Sequence, residues 1–143
     1  MTTSGGAPGS VAPAQTWPWI GTDSRGCVVI LSQSRWLHAA PHHGDFGNPT
    51  LGLLPDPFAV ICRAMTLPDL VLDNSQRRGA PSRSGHERYY RQDPYCDPAH
   101  VIVVVRILST DELIDGYSAK SGSRVALTFY VSPSAPVGAQ VWP

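Results

Sequence analysis

Lysine is almost missing from this chain. Lys120 is the only one, and arginine supplies the rest of the 11 basic residues, which 11 acidic residues balance to a net charge of zero. No global charge therefore argues for a nucleic-acid or membrane-surface partner. Cysteine is scarce and odd in number: Cys27, Cys62 and Cys96 are far apart, and no CxxC pair suggests zinc. They read as reduced thiols in a cytoplasmic protein. No apolar run approaches the length of a membrane span. The opening Met1-Thr2-Thr3-Ser4-Gly5-Gly6 lacks the basic and apolar regions of a secretory signal. HExxH is missing too, since Leu37-His38-Ala39-Ala40-Pro41-His42 has no Glu after its first His. His38, His42, His43 and Asp45 are close in sequence, but Pro41 interrupts the helix that would align them, so no metal and no cofactor is expected.

What is present fits one domain of 143 residues, with a 42% hydrophobic fraction able to form a single core. Residues 1–16 are Gly, Ala, Pro, Ser and Thr without periodicity and read as a disordered tail. Residues 17–131 read as the domain, and 132–143, rich in Pro and Ala, as a loose tail. Charge is unevenly distributed: from Arg77 to Arg106 six arginines face three carboxylates, giving +3, while the flanks are negative. Arginine suits bidentate contact with phosphate. A GC-rich genome would also enrich it.

Cys27-Val28-Val29-Ile30-Leu31 reads as a short buried strand. Ser32 or Ser34 would cap a helix running to Ala40, which Pro41 would end. Asp56 and Pro57 form a helix start, and Phe58, Ile61, Cys62 and Met65 follow at i, i+3, i+4 and i+7. Pro68 would stop that helix. Leu70–Leu72, His86–Arg91, the β-branched run Val101–Leu108 and the alternating Val125–Val131 read as strands, with a turn or short helix at 111–116. The expected fold is α+β: short N-terminal helices packed on one face of a four- to five-stranded, mainly antiparallel sheet.

Strand parity then assigns faces. Val125, Leu127, Phe129 and Val131 would share the core side of the last strand, and Thr128 and Tyr130 the other side. Arg88 and Tyr90 would share one face of their strand, with Glu87, Tyr89 and Arg91 on the opposite face. The second face of the sheet could then display hydroxyls and guanidinium groups.

In order along the chain stand Arg35-Trp36-Leu37-His38, His42-His43-Gly44, Pro68-Asp69, Glu87-Arg88-Tyr89-Tyr90-Arg91, Val101–Val105 and Thr128-Phe129-Tyr130. Over residues 27–131 this series resembles the small phage- and toxin-associated members of the barnase–EndoU–colicin–RelE-like nuclease superfamily. These often show Arg-Trp-x-His-Ile, His-Pro-Glu, a helix ending in Pro-Asp, an Arg/Tyr-Tyr strand, a Val-rich strand and a final Thr-x-Tyr. Here His43 and Gly44 stand where the pattern has Pro and Glu. The resemblance implies a helical part on an antiparallel sheet, with a ribonuclease site on the sheet's open face.

RNA cleavage without metal needs a base for the 2′-OH, cations for the phosphorane and an acid for the leaving oxygen. The expected set is His38 as base or acid, Arg88 on the phosphate, and Thr128 and Tyr130 to position it. Arg91, Tyr90, Arg35 and His42 would bind substrate. Each also has a plain structural role open to it, as helix surface, strand former or solvated loop. The expected partner is single-stranded or structured RNA, with a protein inhibitor as a second partner and no membrane. A toxin or phage effector delivered into another cell fits this reading. The competing one is a non-catalytic interaction module on the same scaffold, such as a phage or anti-defence protein, for which the exposed-looking Trp17-Pro18-Trp19 would serve as contact. A small phage structural protein is a third.

Overall fold

A computed structural model describes residues 16–43, 57–73, 85–94, 99–133 and 138–143, the side chains of 39–43 excepted. Two strands, β1 (Trp19–Thr22) and β2 (Val28–Leu31), precede helices α1 (Gln33–His43) and α2 (Pro57–Thr66). Then come β3 (Leu70–Asp73), β4 (His86–Arg91), β5 (His100–Ile107), the short pair β6 (Glu112–Ile114) and β7 (Tyr117–Ala119), β8 (Arg124–Ser132) and β9 (Gln140–Trp142).

Seven strands make one sheet in the order β1-β2-β8-β5-β4-β3-β9, while β6 and β7 form a separate hairpin. Only β2 and β8 run parallel; the other neighbours are antiparallel. This corrects the expected α+β fold with four or five strands. The protein is dominated by a seven-stranded mixed sheet with two helices among the described residues. The additional strands escaped notice for a physical reason. β1, β6, β7 and β9 are three or four residues long and largely exposed, so pairing rather than an apolar pattern defines them. The segment around 111–116 is accordingly a hairpin arm, turned at Asp115 and Gly116, both at positive φ (49° and 83°). β9 likewise corrects the reading of 132–143 as a loose tail, because its residues pair with β3.

Local signals hold better. Ser32 accepts the Arg35 amide at 3.3 Å and starts α1 as an N-cap, although the helix runs through Pro41 to His43. Pro57 opens α2, which buries Val60, Ile61, Ala64 and Met65. Asp56 lies outside the described residues. No helix among them is long and apolar enough to cross a membrane.

Both helices pack on one face of the sheet. Trp36 of α1 stacks on Phe129 of β8 (5.5 Å) and meets Phe58 of α2 edge-on (5.2 Å). Val29, Leu31, Val71, Tyr89, Val101, Val103, Val105, Ala126 and Val131 complete this core. Trp17 and Trp19 pack against it, Trp17 edge-on to Phe58, so they are not the free contact surface expected. On the far face, the hairpin's Ile114 and Ala119 cover Ile30 and Val125.

The expected parity of β8 fails at one point. Val104 pairs with Thr128 but Val105 with Ala126, leaving Leu127 as a bulge. Ala126, Phe129 and Val131 therefore face the helices, whereas Val125 faces away. Thr128 and Tyr130 keep their assigned side, because they lie beyond the bulge.

Candidate functional site

Two rows of side chains cross the far face. Leu72, Arg88, Val104 and Thr128 are successive partners across β3, β4, β5 and β8; Leu70, Tyr90, Ile102 and Tyr130 form the next row. With neighbouring strands about 4.8 Å apart, Arg88 and Thr128 stand roughly 10 Å apart, with one strand between. Tyr90, Ile102, Leu72, Leu70 and Tyr130 pack together. Arg88 lies over the Tyr90 ring (5.6 Å), and its Nη1 donates to the Tyr90 hydroxyl at 2.7 Å. Burial pushes the Tyr90 phenol up, and the neighbouring Tyr130 adds to this, while Arg88 opposes it. His100, at the start of β5, sits edge-on to Tyr90 at 6.0 Å. Its Nδ1 is buried with no hydrogen-bond partner among the described residues.

Four expected residues thus share one face: Arg88, Tyr90, Thr128 and Tyr130. The face is not open, however. Arg88 is 9% exposed and Tyr90 3%. Chain that precedes β9 lies on Arg88: a Cβ at Gly138 would stand 2.7 Å from its Nη2. Solvent reaches this region where Thr128, Tyr130, Val104 and His100 are half-buried.

The remaining expected residues do not join them. Trp36 roots α1 on the helix-covered face, and exposed His38 lies about 200° further round that helix. His38 therefore points away from the core contact that Trp36 makes, whereas Thr128 and Tyr130 lie on the far face of the sheet. Arg91 points to the helix side as well, donating to the Leu67 carbonyl just past α2 (2.7 Å). It is a helix-end cap rather than a second phosphate ligand. Arg35 is exposed at the first turn of α1 and lines a cleft at the other end of the far face. The side chain of His42 lies outside the described residues.

The chain matches no family model, no curated protein and no solved structure.

Sequence reading missed two groups. His100 carried a usable signal, since in strand parity it shares a side with Ile102 and Val104, and so with Tyr90 and Tyr130. The second group is a buried charge network on the helix-side face. Arg25, in the β1–β2 turn, donates to Glu87 through Nη1 (3.0 Å) and Nη2 (2.8 Å), to Asp23 and to the Tyr89 hydroxyl. Tyr89 donates to Asp23 at 2.6 Å, and Arg124 donates to Glu87 at 3.2 Å. Parity put Glu87 on the core side with Tyr89, and a buried carboxylate demands cations. Nothing in sequence spacing named Arg25 or Arg124 as those cations.

Burial works against the Arg25 charge, yet the hydrogen bond to Glu87 and the surrounding negative groups raise its pKa far above the usual range. For Tyr89, burial and then the hydrogen bond to Asp23 push the phenol well up. Burial alone would raise Asp23, but hydrogen bonds from Tyr89 and the Cys27 amide, with Arg25, hold it below the usual carboxylate range. Two arginines and two carboxylates neutralise one another, so this network holds the β1–β2 turn to β4 and β8. Among the described residues no three His, Cys, Asp or Glu side chains are grouped to hold a metal; the side chains of His42 and His43, and Asp45, lie outside them.

Proposed function

We propose that the chain is a metal-independent endoribonuclease-like domain whose reaction centre is the far face of the sheet, with His100 rather than His38 moving the proton. The observation that carries this reading is the His100–Tyr90–Arg88 contact, with Tyr130 and Thr128 beside it. Arg88 supplies a cation beneath the face and holds Tyr90, whose hydroxyl accepts from it, so that positive charge backs the half-buried Tyr130 and Thr128 hydroxyls. The His100 imidazole takes the 2′-OH proton, O2′ attacks phosphorus, and the bond to the 5′-oxygen breaks as the imidazolium gives that proton to it. The products are a 2′,3′-cyclic phosphate and a 5′-hydroxyl. The resemblance to toxin- and phage-associated nucleases points the same way.

The purified protein should cut RNA in EDTA and leave 2′,3′-cyclic ends. His100→Ala should abolish cutting in a folded protein, and His38→Ala should retain it. Cleavage that survives His100→Ala, or that requires a divalent metal, overturns this mechanism.

A second reading is a non-catalytic protein-binding module. The observation favouring it is Leu113, 71% exposed on the β6–β7 hairpin, together with the deep burial of Tyr90. A folded protein that leaves RNA intact, and whose tight partner is lost on Leu113→Ser, would decide for it.

A further inference from the structure

The guanidinium of Arg88 is closed off by the last stretch of the chain. A Cβ at Gly138 would stand 2.7 Å from Arg88 Nη2, 3.2 Å from the Asp73 carbonyl oxygen and 3.6 Å from Leu72 Cβ. Only a residue without a side chain lies so close to the far face, and its φ of +146° is one that glycine adopts readily. Arg88 is buried beneath it.

What holds this stretch down is slight beside the rest of the sheet. β9 is the terminal strand of the order, so β3 is its one strand partner among the described residues. The two pair at Val71 with Trp142 and at Leu72 with Gln140, and the register shifts between those positions. Just beyond, the Asp73 amide donates to the Ala139 carbonyl at 2.8 Å. Val141 and Trp142 pack against the helix-side core but are only half-buried, and Gln140 is exposed. β4, which carries Arg88, is paired on both sides, with β3 and with β5. An edge strand with few pairings and little burial opens at a lower free energy than the strands inside the sheet.

We infer that Gly138 and β9 form a strap that shuts Arg88 away from its anion, and that release of β9 from β3 opens the site. The inference rests on the nuclease reading of the far face and adds the regulation of that same site. With the strap closed, Arg88 acts only from beneath the face, through Tyr90. With the strap released, Nη1 keeps the Tyr90 hydroxyl while Nη2 takes a phosphate oxygen in the space that Gly138 leaves. An anion that binds only the open form selects it, so its apparent affinity is reduced by the fraction of molecules that are open. β9 thereby sets how much of the protein is competent to hold RNA.

The test is native-state hydrogen exchange on the full-length chain, read beside its affinity for a 2′-O-methyl uridine tetranucleotide, which lacks the nucleophile and is not cut. Trp142→Ala removes the larger anchor of β9 and should speed exchange of the Asp73 amide, while the Val103 amide of the central strand stays far slower. Affinity for the tetranucleotide should rise by the same factor as the Asp73 exchange, about tenfold or more. Val141→Ser, a smaller loss from the same anchor, should raise both by less, and adding Arg88→Gln should remove the gain. Faster Asp73 exchange with unchanged affinity, or a gain that survives Arg88→Gln, would overturn the strap. So would Asp73 exchange that neither anchor variant speeds. If exchange and affinity rise together but RNA is never cut, the nuclease reading falls and the strap stands. If the parent cuts RNA yet affinity ignores the release of β9, the strap falls and the nuclease reading stands.

Discussion

Arg25 grips Glu87 through two hydrogen bonds, at 3.0 and 2.8 Å, across 62 residues of chain. Glu87 is fully buried, and Arg124 reaches the same carboxylate from β8. The contact ties the first turn of the domain to strands that enter it much later.

Removing one partner of such a pair leaves a charge stranded in the interior. Arg25→Ala is expected to destabilise the fold by about 3–5 kcal/mol, read from chemical denaturation. Glu87→Gln, which keeps the shape and part of the hydrogen bonding, should cost less. Equal stability of Arg25→Ala and the parent would show that the network does not hold the turn.

The pH dependence follows from the same groups. The folded state lowers the Asp23 pKa, so its contribution is present above the ordinary carboxylate value of about 4. It is lost as pH falls below that value toward the depressed one. The folded state raises the Tyr89 pKa, so its contribution is present below the ordinary phenol value of about 10 and fades as pH rises beyond it. Tyr89→Phe should lower stability at neutral pH but flatten the decline at alkaline pH. An unchanged alkaline slope would remove Tyr89 from the account.

Gly138 is required by its position over Arg88. Its φ is +146°, and an added Cβ would lie 2.7 Å from Arg88 Nη2 and 3.2 Å from the Asp73 carbonyl oxygen. Gly138→Ala should cost about 1–3 kcal/mol through backbone strain and crowding. It should also displace the guanidinium from Tyr90, visible as a change in the Arg88 Nε NMR signal. A thermal midpoint equal to that of the parent would refute both claims.

Local chemistry was legible wherever neighbours in sequence were enough. Pro57 with its apolar stripe announced α2, Ser32 announced the start of α1, and the β-branched run around Val103 announced the central strand. Parity also put Arg88 with Tyr90, and Thr128 with Tyr130, because alternation is a property of the strand itself. The surroundings of His38 were not legible, because a helix position specifies a direction around its own axis, not which sheet face the helix will cover. Trp36 decided that by stacking on Phe129.

Short-range sterics, capping and hydrophobic periodicity are written into adjacent residues, so the chain alone determined its central strands, the start of both helices and the side that most strand residues take, Val125 and Leu127 excepted. Partnership between distant segments was decided only by packing. That includes β9 joining β3, the Leu127 bulge, His100 meeting Tyr90, and Arg25 meeting Glu87. Those choices depend on which arrangement buries the most apolar surface while leaving no interior charge unmatched, and no local spacing encodes that comparison.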